Sequence, residues 1–241
     1  MTKPVTIAVF GAGGRMGRSV QRIASDSDDF MVAAALVQGD MPAEPFDVLI
    51  DFSGAVGFDA ALALAVERRV AVVSGGTGLT DAQHDAMRAA STAIPLLWSA
   101  NFSIGIAVLR QLARDASRRL ADFDCEIHEA HHRDKKDAPS GTALVLGRDV
   151  ADARGVDFDA NNALIRHAEH GARRTGEVGF SVTRGGDIVG EHSVQLIGQG
   201  ERLELIHRAT DRDIFARGAL HAARWIAGKP AGFYAMDDVL R

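Results

Sequence analysis

The apolar run Val5-Thr6-Ile7-Ala8-Val9-Phe10 breaks directly into Gly11-Ala12-Gly13-Gly14-Arg15-Met16-Gly17, and this junction constrains the fold more than any other stretch. A β-branched run that ends in glycines and opens a helical pattern is the strand, turn and helix that begin a dinucleotide-binding βαβ unit. Met16 stands in the last glycine slot of the strict G-x-G-x-x-G frame, whereas Gly11, Gly14 and Gly17 satisfy a G-x-x-G-x-x-G variant. Glycines here let backbone come against a pyrophosphate, while the amides and dipole of the helix N-terminus hold its charge. A tight turn with no ligand is the plain alternative. Two further clusters at strand ends, Ser74-Gly75-Gly76-Thr77-Gly78 and Ser99-Ala100-Asn101-Phe102, weigh against it, because three such loops at one sheet edge make a cleft.

Around these loops, short β-branched runs alternate with helical patterns. Strands are expected at Val5 to Phe10, Met31 to Val37, Val48 to Phe52, Ala71 to Ser74 and Ile94 to Trp98, and helices at Met16 to Ser25, Ala55 to Arg68 and Thr80 to Ser91. Near-continuous apolar strands joined by helices imply an α/β fold, a Rossmann-like parallel sheet covered on both faces. After Asn101 the pattern changes. A long amphipathic helix (Ile104 to Leu120), a strand (Asp124 to Ala130), a polar loop and a helix (Thr142 to Arg154) lead to strand segments around Gly179 to Thr183, Ile188 to Ile197 and Arg202 to Ala209. The glycine-rich turns at Arg184 to Asp187 and Gly198 to Glu201 read as antiparallel connections. The expected architecture is therefore a dinucleotide-binding domain, 1–101 and 212–241, with a smaller α+β domain, 102–211, inserted in it. The last helix, Asp213 to Ala227, returns to the first domain. Too few helices follow Asn101 to cover the second domain's strands on both sides, so one apolar sheet face is expected to meet another subunit.

Composition narrows the function classes. In 241 residues, 46% hydrophobic content supplies a real core, while 24% charged residues and the lack of a long apolar run exclude a membrane-spanning or disordered chain. The first apolar stretch is too short for a secretion signal, so a cytoplasmic location is expected. Cys125, the one cysteine, reads as a small buried hydrophobe. A net charge of -5 and a pI of 6.0 argue against a nucleic-acid partner, which needs a broad basic face. Glycine, 25 of 241 residues against a usual ~7%, is the one excess, consistent with several close backbone approaches.

Against that acidic background, Glu129-Ala130-His131-His132-Arg133-Asp134-Lys135-Lys136-Asp137-Ala138-Pro139-Ser140-Gly141-Thr142 packs two histidines, an arginine and two lysines into one loop. Its field favours a small anion. Histidine moves protons near neutral pH, and lysine pairs with a carboxylate or donates a proton. Pro139 turns Ala138 out of helical conformation, Ser140 can cap the following helix, and the amides of Gly141 and Thr142 add a second anion-binding element. A solvated loop with a helix cap is the alternative. Zinc is disfavoured, since adjacent histidines on extended backbone point to opposite faces and no cysteine lies nearby, so no metal is expected. His167, His170, His192 and His207 receive the default surface or satisfied buried role. At the end of the second strand, Val37-Gln38-Gly39-Asp40 offers neither the acid that would bind a ribose 2'-hydroxyl nor the arginine that would favour a 2'-phosphate. Arg15 is either a phosphate contact or a solvated charge.

The stretch EAHHRDKKDAPSGTA closely resembles the signature of the 4-hydroxy-tetrahydrodipicolinate reductase (dihydrodipicolinate reductase) family. GAGGRMG, DFS at Asp51, GGTG at Gly75, SANFSIG at Ser99 and the terminal FYAMDDVL accompany it in the family's order, covering nearly the whole chain. The resemblance implies an NADH- or NADPH-dependent reductase of a cyclic dicarboxylate, in the diaminopimelate route to lysine. It also implies a homotetramer, with closure of the domains over substrate. Carried residue by residue, it puts Gly11, Ala12, Gly13, Gly14, Arg15, Met16, Gln38, Gly75, Gly76, Thr77, Ser99, Ala100, Asn101 and Phe102 around the cofactor. His131 becomes a proton donor or acceptor, Lys135 a proton donor, and His132, Gly141 and Thr142 substrate contacts. Family members often carry an acid and then a base where Val37 and Gln38 stand, so the choice between NADH and NADPH stays open. Another two-domain dehydrogenase, which has no need of the HHRDKKDAPSGT segment, and a non-catalytic nicotinamide sensor are the alternatives.

Overall fold

The structure, a computed structural model, describes residues 3–164 and 171–241. The chain divides into two units, Met1–Ile104 with Asp213–Arg241, and Gly105–Arg212. It passes from the first to the second within a helix and returns at Asp213.

In the first unit, strands β1 (Val5–Phe10), β2 (Phe30–Leu36), β3 (Val48–Asp51), β4 (Ala71–Ser74), β5 (Pro95–Trp98) and β11 (Gly232–Tyr234) form one sheet in the order β11-β5-β4-β3-β1-β2, every pairing parallel. β1, β3 and β4 are buried almost throughout, as strands covered on both faces must be. Helices α2 (Gly54–Arg68) and α3 (Asp81–Ala90) pack Phe58, Ala61, Leu62, Ala65 and Met87 onto Ala8, Phe10, Leu49, Val72 and Leu96. A reciprocal Thr80–Gln83 capping box starts α3. On the other face lie α1 (Arg15–Ser25) and α7 (Asp213–Ile226), which contact each other. Beside Leu220 and Ile226, the buried positions of α7 are the small residues Ala216, Gly218, Ala219, Ala222 and Ala223, so the helix lies close; a Cβ at Gly218 would fall 1.7 Å from the Phe102 carbonyl. The terminal FYAMDDVL supplies the edge strand β11 and the short helix α8 (Met236–Val239), neither of which its composition announced.

The second unit is a five-stranded mixed sheet, β10-β9-β6-β8-β7, made by β6 (Asp124–His131), β7 (Asn162–Ala163), β8 (Val178–Arg184), β9 (Gly190–Ile197) and β10 (Arg202–Ala209). Cys125, Ile127, Val178, Phe180, Val194 and Leu196 point to α4 (Ile104–Arg119), α5 (Gly141–Arg154) and α6 (Phe158–Asn161), closing one core. Two expectations need correction. The turn at Arg184 to Asp187 does not close a hairpin: β6 lies between β8 and β9, parallel to the first and antiparallel to the second. That turn instead bonds to the central strand's end, Gly185 N–H to the His131 carbonyl at 3.0 Å and Arg133 N–H to the Gly186 carbonyl at 3.2 Å. The turn at Gly198 to Glu201 does join the antiparallel neighbours β9 and β10. Nor is the outward sheet face apolar. Strand alternation sends Glu126, His128, Ser181, Ser193, Gln195 and Glu204 away from the core, with Ile197 and Ile206 as large apolar side chains in their company.

Candidate functional site

In the first unit, parallel register brings the loops after β1, β3, β4 and β5 to one edge of the sheet. The glycines there have different duties. Gly11 adopts φ +79°, and a Cβ on it would lie 2.8 Å from the Phe52 carbonyl carbon, so the loop after β3 can close against the loop after β1 only because Gly11 has no side chain. Gly17 seats α1 on the same turn, where a Cβ would fall 2.3 Å from the Gly11 carbonyl. A Cβ on Gly13, by contrast, would meet nothing within 4 Å. The α1 N-cap is Gly14, with no side-chain cap and no acid in the first turn. The first amides of α1 are therefore open to an anion, and the cradle fits a dinucleotide pyrophosphate.

Asp51, fully buried at the end of β3, braces these loops. Its carboxylate accepts from Ser53 N–H at 2.9 Å, Ser53 Oγ at 2.5 Å and Ser74 Oγ at 2.8 Å, and Ser74 Oγ accepts from Gly76 N–H at 3.2 Å. Burial raises the Asp51 carboxyl above its ordinary range against the pull of those bonds. The Gly76 carbonyl accepts from Trp98 Nε1 at 3.0 Å, and Gly75 leaves room for the Phe52 ring. Ser99 Oγ donates to the Asn101 carbonyl at 2.7 Å and Asn101 Oδ1 accepts from Ser103 N–H at 2.8 Å, fixing that loop. Arg15, Gly13, Thr77 and Ala100 are exposed, Met16 is half-buried, and Ala12 and Phe102 are buried. Phe102 packs edge-on to Phe52 at 5.8 Å, beneath the loop. Gln38 is exposed beyond β2, where the Asp40 carboxylate turns back to accept from Val37 N–H at 2.8 Å.

In the second unit, the four strands β10, β9, β6 and β8 bring charge to one end of the helix-covered face. Glu129 stands one alternation beyond the core residues Cys125 and Ile127, with His192 of β9 beside it in register and His207 of β10 beyond. The fully buried Glu129 carboxylate lies 2.6 Å from His131 Nδ1 and accepts from Arg184 Nη1 and Nη2 at 2.8 and 2.7 Å and from Ser140 N–H at 2.9 Å. Burial alone would raise its pKa; those bonds outweigh burial and hold it at about 2. Arg184 also donates to the loop carbonyls of Asp137 at 2.6 Å and Lys135 at 3.3 Å. Ser140 caps α5, its Oγ accepting from Ala143 N–H and lying 3.1 Å from His192 Nε2. Burial, with the neighbouring His131 adding, pushes His192 down to about 3, so this imidazole is neutral.

The polar loop leaves from His131 and returns at Ser140. His132 and Thr142 are half-buried and Gly141 exposed; Lys135 Nζ donates to both Asp137 oxygens at 2.8 Å. His167 and His170 lie outside the described residues. Ser140 caps α5 as its place before the helix implies, and His192 is a buried histidine, but neither Glu129 nor Arg184 nor Asp51 carries a role that its local sequence announces. The missed signal for Glu129 and Arg184 was alternation: Arg184 follows Val178, Phe180 and Val182, and a charged residue at a core-facing position requires a buried partner.

Two family models match the chain, dihydrodipicolinate reductase N-terminus over residues 5–102 and dihydrodipicolinate reductase C-terminus over residues 105–240. A 4-hydroxy-tetrahydrodipicolinate reductase of Stenotrophomonas maltophilia (strain K279a) is 45% identical, with 99% of this chain and 98% of that one covered. Its namesake from Xylella fastidiosa (strain 9a5c) is 44% identical over 97% of each chain. Among solved structures, a dipicolinate-bound dihydrodipicolinate reductase from Paenisporosarcina sp. TG-14 is similar at TM-score 0.77 and 20% identity, covering 96% of this chain and 97% of that one. A C. glutamicum DAP dehydrogenase in complex with DAP gives TM-score 0.59 at 15% identity, covering 98% and 94%. At such identities the structural likeness speaks for the fold.

Proposed function

The chain belongs to the dihydrodipicolinate reductase family, and from that premise we infer that it reduces 4-hydroxy-tetrahydrodipicolinate to tetrahydrodipicolinate, with loss of water, in the diaminopimelate route to lysine. It is an oxidoreductase that uses NADH or NADPH. The overall conversion takes up one hydride and one proton and releases one water. NADH or NADPH, when bound, supplies the hydride.

The chain's own residues bind, orient and move the proton. The first amides of α1, with the loops at Gly75 to Thr77 and Ser99 to Phe102, hold the dinucleotide in the first unit. In the second, Lys135, His132 and the amides of Gly141 and Thr142 hold the substrate's two carboxylates. Lys135 delivers the proton that accompanies reduction, and His131 Nε2 gives or takes a proton as the hydroxyl leaves as water. The observation that carries this assignment is the 2.6 Å contact between His131 Nδ1 and a buried, ionised Glu129, at the root of a loop that bears Lys135. A solvated loop with no chemistry has no use for a histidine held in that way.

Residues 1–101 and 212–241 thus form the dinucleotide domain and 102–211 the substrate domain. The assembly is a homotetramer in the cytoplasm, its subunit contacts made by the second domain. The deciding experiment follows NADH and NADPH oxidation with and without the cyclic substrate. Oxidation only in its presence supports the assignment; cofactor binding with no turnover, or turnover of other amino-acid substrates alone, defeats it. Light scattering at several concentrations tests the assembly, and a concentration-independent monomer mass would overturn it.

A further inference from the structure

We propose that Glu129 is the positioning residue of the proton-transfer site: it fixes His131 with its proton on Nδ1 and leaves Nε2 as the nitrogen that reacts, and Arg184 holds Glu129 in place for that task. This deepens the assignment of His131 above and rests on it. Glu129 is 0% exposed, yet both of its oxygens are spoken for. Arg184 Nη1 and Nη2 and the Ser140 amide have only hydrogens to offer, at 2.8, 2.7 and 2.9 Å. An ionised carboxylate surrounded in this way can only accept, so the proton in the 2.6 Å contact belongs to His131 Nδ1 in either charge state of the ring. The nitrogen that gains and loses a proton is then Nε2, which lies over Gly190; a Cβ there would approach it to 3.1 Å.

A buried ion pair is a poor device for stability, because the desolvation of two charges offsets most of their attraction, and an apolar pair of similar volume serves as well. Its position supplies a better reason for it. Arg184 pairs with His131 in the register of β6 and β8, so the guanidinium, the carboxylate and the imidazole sit at one strand end. The other groups that face them are accounted for. His192 of β9 stands edge-on to His131 with ring centroids 5.2 Å apart and is neutral; His207 of β10 lies beyond it in register. Lys135 and Asp137, from the loop, pair with each other. Glu129 is therefore the anion in direct contact with the His131 ring, and removing its charge weakens the protonated ring.

The test uses the intact enzyme in three forms: wild type, Glu129→Gln and Glu129→Asp, with His131→Ala as the reference. Glu129→Gln is expected to lower kcat by at least about 10-fold while KM and cofactor affinity move less than about threefold, since losing the carboxylate that orients a reactive imidazole costs up to about 10⁴ in rate. The histidine limb of its pH–rate profile moves to lower pH. Glu129→Asp, which keeps the charge, recovers part of the rate and returns the limb toward its wild-type position. A merely structural role predicts lost folded protein with an unmoved limb in what remains. Because Glu129→Gln can fail to fold, the nitrogen-15 spectrum of histidine-labelled wild type is recorded too, with His131 assigned by its loss in His131→Ala. A neutral ring protonated on Nδ1 is expected; a neutral ring protonated on Nε2 overturns the proposal, as does a Glu129→Gln profile that superimposes on wild type. Full activity in His131→Ala would instead sink the assignment of His131 while leaving the tautomer as measured, so the two failures are distinct.

Discussion

Lys135 Nζ lies 2.8 Å from each carboxylate oxygen of Asp137, two residues along the same loop. The Lys135 bond, ahead of weaker help that includes the Gly141 backbone, holds the Asp137 carboxyl below its ordinary range. Lysine ammonium and helix-N-terminal amide are the groups proposed above to receive a substrate carboxylate, so Asp137 stands where that carboxylate would bind. An exposed pair of this kind contributes roughly 0 to 1 kcal/mol. Asp137→Asn should therefore lower KM for the cyclic dicarboxylate by up to about fivefold, with the change confined to KM. Steady-state kinetics decides it: a KM raised tenfold would show that Asp137 arranges Lys135 for substrate rather than competing with it.

Lys135→Ala and His131→Ala should each lower kcat/KM at least about a hundredfold, because one proton-transfer group contributes typically 10² to 10⁴ in rate. Cofactor affinity should hardly change, since the dinucleotide loops belong to the other unit. Calorimetry of NADH binding beside the kinetics checks both halves. Variants that keep more than about a tenth of wild-type activity would remove these residues from the mechanism.

Cofactor choice turns on the end of β2. Asp40 spends its carboxylate on the Val37 amide at 2.8 Å, and Gln38 supplies no charge, so the loop offers neither repulsion nor strong attraction to a 2'-phosphate. NADH and NADPH should give kcat/KM within about tenfold of each other, roughly 1.4 kcal/mol. Gln38→Arg should tilt the ratio toward NADPH. A thousandfold preference in the wild type would mean that residues outside this loop decide.

The two kinds of glycine in the first turn should separate by experiment. A methyl on Gly17 falls 2.3 Å from the Gly11 carbonyl, so Gly17→Ala should lower Tm, whereas a methyl on Gly13 meets no protein atom within 4 Å. Gly13→Ala should leave Tm unchanged and weaken dinucleotide binding if the space it fills is where the pyrophosphate is proposed to lie. Thermal melts and cofactor titrations on the two variants test this. Unchanged affinity in Gly13→Ala would place the pyrophosphate elsewhere.

The first unit was legible in the sequence because its strands are buried on both faces: runs such as Val48–Asp51 and Ala71–Ser74 declare themselves as strands, and glycines mark their ends. The second unit was less so. Its segments were visible, but the insertion of β6 between β8 and β9 is a long-range pairing that no local pattern encodes, and the Arg184 to Asp187 turn looks like any hairpin turn. His131 and Lys135 stood out by their residue types in a short loop. Glu129 and Arg184 are 55 residues apart in sequence, and only the strand register makes them a pair. The same register sets His192 beside Glu129, a relation that a scattered histidine could not reveal.

That register also predicts how the fold responds to acid. Burial pushes His192 down to about 3, whereas an unfolded histidine takes up its proton near ~6.5. The unfolded chain then binds the proton first, so above ~6.5 there is no effect, and stability is lost as pH falls from there toward about 3, by ~1.4 kcal/mol per pH unit for each such proton. His207, lowered by burial as well, adds to this stage. Glu129 follows the carboxylate case. Its folded value of about 2 lies below the ordinary 4.5, so its contribution is complete above 4.5 and disappears as pH falls from 4.5 toward 2. Stability should decline gently below ~6.5 and more steeply below 4.5, where the two losses combine. Urea unfolding at fixed protein concentration, from pH 7 to about 4, measures both stages, and His192→Gln should flatten most of the first while leaving the second. A wild-type curve with no slope between about pH 6.5 and 5 would show that His192 keeps its proton in the folded chain.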